Sequence, residues 1–142
     1  MLILDTNVLS ELMRAKPNDK VIKWFAAQRT ESLFTTAVTQ AEILYGVAIL
    51  SKGKRRNTIE AAVNEMFEKD FEGRILSFDS SSAKSYAHIV ALRRAAGKPI
   101  SQFDAQIAAI AHSRHANLAT RNTDDFQGCD IVVIDPWNEI TS

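Results

Sequence analysis

Five short strand-like runs, the first four set apart by stretches of helical spacing, constrain this chain more than any other feature. Residues 1–4 are apolar, too few for a helix, and stop at Asp5-Thr6-Asn7, which predicts a buried strand entering a turn. Residues 32–36, 74–78, 117–120 and 131–134 repeat the pattern. Val8, Leu9, Leu12 and Met13 then mark one helical face, with Thr6 or Asn7 as its cap. Lys16-Pro17-Asn18-Asp19 breaks that helix, and Val21, Ile22, Trp24 and Phe25 mark another. A helix opening at Thr39 carries Ile43, Leu44, Val47, Ala48 and Leu50, and a long one carries Ile59, Val63, Met66 and Phe67. Asp79-Ser80-Ser81-Ser82 starts a helix that Gly97 closes, and residues 101–115 form the last, with Phe103, Ile107, Ile110 and Ala111 on its apolar stripe.

Strands joined through helices are parallel, and a parallel sheet needs helices over both faces. The predicted class is α/β, with one domain over residues 1–142 and no repeat or linker within it. Such sheets bind ligands at the carboxyl ends of their strands. Asp5 follows the first strand directly, Glu42 follows the second by a few residues, and Asn122 to Asp125 follow a later one. A shared edge of the sheet turns these acids into a candidate site.

Composition excludes more than it identifies. No apolar run approaches the roughly 18–20 residues that span a bilayer, and the N-terminus lacks the basic start and cleavage site of a signal peptide. The single Cys129 rules out an internal disulfide framework, and a cytoplasmic protein is expected. Seventeen basic and seventeen acidic residues cancel, so no global basic excess points to nucleic acid. The basic residues do cluster, at Lys52, Lys54, Arg55 and Arg56 and at Arg93, Arg94 and Lys98, but taken alone both clusters are better read as solvated helix ends.

Hard divalent cations take oxygen ligands, and a few carboxylates around one cleft suffice to hold them. Bound there, such an ion polarises a phosphate and acidifies a water. Asp5, Glu42, Asp104 and the Asp124-Asp125 pair all stand beside element boundaries, but each also has a structural explanation. Asp5 suits a turn or helix cap. Thr39-x-x-Glu42 has the form of a capping box, with Val38 and Ile43 as its staple, and local sequence alone favours that cap. Ser101-x-x-Asp104 is a poorer box, because aspartate is one methylene too short to reach back well.

Four motifs in order carry a resemblance. Leu2-Ile3-Leu4-Asp5-Thr6-Asn7, Thr39-x-x-Glu42-Ile43-x-x-Gly46, Phe103-Asp104-Ala105-Gln106-Ile107 and Thr120-Arg121-Asn122-Thr123-Asp124-Asp125-Phe126 together resemble the PIN-domain family over nearly the whole chain. The ending Asp135-Pro136-Trp137 resembles its bacterial toxin branch, of VapC or FitB type. The resemblance implies a three-layer α/β/α sandwich with a central parallel sheet. It also implies a Mg²⁺- or Mn²⁺-dependent endoribonuclease, a cognate antitoxin, and homodimerisation, with further assembly in some relatives. By position, Asp5 and Asp104 match the metal ligands, and Glu42 matches a third catalytic acid. The fourth acid falls at Asn122 in some relatives and at Asp125 in others, and Asp125 is the residue expected to serve here. Thr6, Asn7, Thr120 and Asn122 match positions that would hold the acids in place.

The expected reaction is metal-assisted hydrolysis of an RNA phosphodiester, with Glu42 orienting or deprotonating the attacking water and the basic clusters touching the RNA backbone. A catalytically weak RNA-binding or regulatory module is the alternative, and Asn122 in place of an acid is the feature favouring it.

Overall fold

The computed structural model describes residues 1–138. Its centre is a five-stranded sheet in the order β3-β2-β1-β4-β5, with every neighbouring pair parallel. The strands are β1 (Leu2–Leu4), β2 (Leu33–Thr36), β3 (Ile75–Leu76), β4 (Asn117–Ala119) and β5 (Val133–Ile134). The helices are α1 (Thr6–Leu12), α2 (Asp19–Ala26), α3 (Ala37–Ala48), α4 (Lys54–Glu65), α5 (Ser80–Ala95) and α6 (Gln102–Ser113).

Side chains alternate across each strand, so the sheet feeds two separate cores. Leu2, Leu4 and Leu33 pack with Val8, Leu9, Val21, Trp24, Ile43, Val47, Val63 and Phe67 from α1 to α4 and the turn after α4. Ile3 and Leu118 face the other way, onto Ile89 of α5 and Ile107, Ala108, Ile110 and Ala111 of α6. This is the expected three-layer sandwich. The chain leaves β1 for β2 on one side and returns to β4 on the other, so β1 lies where the winding direction reverses. The carboxyl end of such a strand opens into a crevice.

Several helix boundaries differ from the sequence expectation, and the differences matter for the site. The cap of α1 is Asp5, not Thr6 or Asn7, since its side chain accepts the Thr6 N–H. α3 begins at Ala37, two residues early, because the Thr36 hydroxyl accepts the Thr39 N–H at 3.0 Å and caps the helix itself. Thr39 is therefore inside the helix, and the Thr39/Glu42 capping box does not form. β3 is shorter than residues 74–78, pairing only Ile75 and Leu76 with Thr35 and Thr36 at the edge of the sheet. Phe103, expected in the buried stripe of α6, is more than half exposed, as are Tyr45 and Ile49.

Candidate active site

Three carboxylates meet at the carboxyl edge of the sheet because three different elements end or begin there. Asp5 ends β1, Glu42 sits in the second turn of α3, and Asp104 lies in the first turn of α6. All three line one cleft of about 420 Å³, together with Thr6, Asn7, Arg121, Asn122 and Trp137.

Asp5 is the anchored member. It is only 5% exposed, its Oδ1 accepts the Thr6 N–H at 2.8 Å, and its Oδ2 accepts the Thr120 hydroxyl at 2.8 Å. Asn7 Nδ2 donates to Thr120 Oγ1 at 3.2 Å, and the Asn122 N–H donates to the same oxygen at 3.1 Å. Asn7 Oδ1 accepts the Arg121 N–H at 3.2 Å, so the turn after β4 is tied to α1 beside the cleft. Glu42 is half-buried, and its Oε1 accepts the Thr6 hydroxyl at 3.1 Å. Thr6 Oγ1 also lies 3.2 Å from Thr39 Oγ1, so the residue expected to cap α3 instead braces the side chain that holds Glu42. Ser101 caps α6 by accepting the Asp104 N–H at 3.1 Å, which leaves the Asp104 carboxylate turned to the cleft it lines.

The electrostatics of this cluster are unfavourable without a cation. Burial pushes the Asp5 carboxyl from 3.8 to about 6 against the lowering effect of Thr120 and Thr6, and the charges of Asp104 and Glu42 add to the rise. Glu42 is raised by burial, opposed by Thr6, and further raised by Asp104. Asp104 is raised by burial, opposed by the Ser101 hydrogen bond, raised further by Asp125 and lowered by the charge of Arg93. Among the described residues, none of the three is in a salt bridge with Lys, Arg or His. An all-oxygen donor set with no salt-bridge partner among the described residues fits a hard divalent cation of the Mg²⁺ class.

The other expected residues divide. Asp125 is exposed in the short turn Thr123–Phe126, near enough to Asp104 to raise it, but outside the cleft lining that Asn122 occupies. Asp124 accepts from Gln127 Nε2 and shapes that turn. Arg93 departs furthest from expectation. It is 6% exposed and donates to the carbonyls of Lys98, Asp125 and Gln127 at 2.7–2.8 Å, so it clamps the turn and is closed to RNA. A guanidinium is well suited to collecting several carbonyls at once.

Sequence reasoning missed one wall of the cleft, formed by Ser10, Glu11 and Arg14. Trp137, singled out only as part of the closing motif, also lines the cleft, with the Arg121 guanidinium 5.0 Å from its ring centre. The wall was accessible in principle, because Ser10 and Glu11 fall three and four positions after Asn7 on one face of α1, with Arg14 just past its end. Glu11 is buried, accepting the Asn18 N–H at 3.0 Å and pairing with Arg14 at 3.2 Å.

The chain as a whole is similar to known proteins. Residues 2–130 match the PIN domain model. The toxin FitB of Neisseria gonorrhoeae is 38% identical over 139 residues, covering 98% of this chain and all of that one. The VapC ribonuclease Y4jK of Sinorhizobium fredii is 38% identical over 137 residues, covering 96% of this chain and 98% of that one. A solved structure of FitAB bound to an IR36 DNA fragment superposes with a TM-score of 0.94 at 38% identity, covering 99% of both chains. With the PIN domain model matching residues 2–130 and relatives 38% identical over nearly its whole length, this chain belongs to the PIN-domain family.

Proposed function

We propose that the chain is a ribonuclease toxin, a divalent-cation-dependent endoribonuclease that hydrolyses RNA phosphodiester bonds and is held in check by an antitoxin. The observation that carries this reading is the convergence of Asp5, Glu42 and Asp104 on one cleft, with all three carboxyls raised. The names of the relatives, a VapC ribonuclease and a FitB toxin, support it.

Asp5 and Asp104 would hold Mg²⁺, with Mn²⁺ as the alternative, directly or through water. The bound ion would supply Lewis acidity at the phosphate and lower the pKa of a coordinated water. Thr120 and Thr6 fix both Asp5 oxygens, so its geometry is set before ligand arrives. Glu42, with Oε1 tied to Thr6, presents its other oxygen to the attacking water, and its raised pKa suits it to accept the proton. Asp125 completes the negative rim beside Asp104, and Asn122 contributes a neutral amide within the cleft. Arg121 and Arg14, on the walls of that cleft, are placed to meet the RNA backbone.

Two apolar surfaces suit the protein partners. A groove of about 500 Å³ lined by Leu9, Leu12, Met13, Phe25, Met66 and Phe71 fits an apolar helix face of an antitoxin. The exposed Leu44, Tyr45, Ile49 and Phe103 suit a homodimer contact. Among the described residues no helix is long and apolar enough to cross a membrane, and we place the activity in the cytoplasm.

The test is incubation of a mixed small-RNA substrate with the purified chain in Mg²⁺ or in EDTA, with analysis of the product ends. Attack by a metal-activated water, unlike attack by the ribose 2′-hydroxyl, leaves no 2′,3′-cyclic phosphate, and EDTA abolishes it. RNA that is bound but never cut, in Mg²⁺ or in Mn²⁺, would replace this reading with that of an RNA-binding module, and Asn122 would be the first residue to exchange for Asp.

A further inference from the structure

The chain has three histidines, and all of them lie at the edge of the sheet opposite the carboxylates. His88 is on α5, His112 is in the last turn of α6, and His115 lies in the short connection from α6 to β4. His112 and His115 line a pocket of about 300 Å³ with Asp130, which directly precedes the segment entering β5. His88 Nε2 lies 3.6 Å from Asp130 Oδ2, and His112 Nε2 lies 3.3 Å from the same oxygen. The ligand atoms of His88, His112 and Asp130 all fall within 4.8 Å of one another.

We propose that His88, His112 and Asp130 form a second metal site, for a borderline divalent transition metal of the Zn²⁺ class, separate from the carboxylate cleft. Two imidazoles and one carboxylate are a donor set that such ions take, with a fourth position left to water. The spacing fits. Ligands about 2.0–2.1 Å from a tetrahedral ion stand about 3.3–3.4 Å apart; the His112 distance to Asp130 matches that edge, and the His88 distance is slightly longer.

The cluster is built rather than fortuitous. The buried Ser85 places its Oγ 2.7 Å from His112 Nδ1, and in the tautomer with the proton on Nδ1 it accepts that N–H and leaves Nε2 with the lone pair a metal ligand needs. Asp130 holds a left-handed backbone, φ 59°, which aspartate tolerates better than most residues. The loop that delivers it is anchored upstream by the Arg93 clamp on Gln127 and by the Cys129 N–H bonded to the Phe126 carbonyl. All three ligands reach solvent, at 26–66% side-chain exposure, so an ion has an entry path. An ion here joins α5, α6 and the β5 loop, about 12 Å along α6 from Asp104 by the rise of eight helical residues. Its occupancy therefore stiffens the helix that carries a catalytic carboxylate without touching the cleft.

The experiment uses the full chain carrying Asp5→Asn and Asp104→Asn, so that the cleft cannot report. Zn²⁺ is titrated calorimetrically, and Co²⁺ is followed by its visible absorption. The expected result is one equivalent bound, with His88→Gln and Asp130→Asn each weakening affinity about tenfold or more and the Co²⁺ band lost. Thermal unfolding in EDTA should be the same for both variants and their parent, and Zn²⁺ should raise it only in the parent. Unchanged Zn²⁺ affinity in both variants, or no binding and no Co²⁺ band in the parent, overturns the site. So does a loss of stability in the EDTA-treated variants with no response to metal in the parent, which would make the cluster a histidine–aspartate ion pair. Failure here leaves the RNA-cleavage reading untouched, because that reading rests on the other edge of the sheet.

Discussion

Thr120, at the end of β4, donates its hydroxyl to Asp5 Oδ2 at 2.8 Å from a position 115 residues away in sequence. The bond crosses from β4 to the adjacent β1 and holds a buried carboxylate in its ionised form against desolvation. Thr120→Val keeps the shape and removes the bond. We expect the Asp5 pKa to rise further, Mg²⁺ affinity and cleavage to fall about 10–100-fold, and the fold to persist. Mg²⁺ titration and circular dichroism of the variant check this.

Asp5 also makes the metal-free protein sensitive to pH. Burial first, and then the neighbouring carboxylates, raise its pKa from 3.8 to about 6 in the folded state. Across that window the folded chain holds more protons than the unfolded one, so this group lowers stability as pH rises, and the loss is complete above the folded pKa. At 1.36 kcal/mol per unit the loss is at most about 3 kcal/mol. In EDTA, Asp5→Asn should therefore melt higher than wild type above the window and at the same temperature below it. Mg²⁺ should raise the melting temperature of wild type and leave that of the variant in place.

Glu42 and Thr36 separate catalysis from capping. Because Thr36 caps α3 and Glu42 lies one turn further on, Thr36→Ala should cost about 1 kcal/mol of stability. Glu42→Gln should leave denaturation midpoints within about 0.5 kcal/mol and reduce cleavage by about 10²–10⁴-fold. Equal destabilisation by the two substitutions would restore the capping-box role to Glu42.

Arg93 should behave as a structural residue. Arg93→Met strands the carbonyls of Lys98, Asp125 and Gln127 and should cost about 2–4 kcal/mol, read as a fall in urea midpoint. Arg94→Ala, on an exposed neighbour, should leave stability within about 0.5 kcal/mol.

The sheet and its helices were legible because their signals are local: apolar runs bounded by turn residues, and helical spacing between them. The site was legible only in part. Asp5, Glu42 and Asp104 are named by their motifs, but the local pattern around Glu42 pointed to a cap, and only the tertiary placement of Thr6 against α3 settles what its side chain meets. Arg93 reads as a basic surface residue in sequence, since nothing near it announces three carbonyls from a distant turn. Phe103 follows the apolar spacing of α6 yet faces outward, because periodicity identifies an apolar stripe without saying which surface covers it. The histidine cluster brings together residues up to 42 positions apart, beyond the reach of any spacing argument.

The central claim is that Asp5, Glu42 and Asp104 act as one metal-dependent catalytic unit. It is tested most directly by single-turnover RNA cleavage in Mg²⁺, comparing wild type with Asp5→Asn, Asp104→Asn and the double variant at equal RNA occupancy. The account predicts that each single substitution removes nearly all cleavage and that the double variant is no worse, because groups acting as a unit are not additive. Cleavage that survives in Asp104→Asn at close to the wild-type rate, or that proceeds undiminished in EDTA, would contradict it.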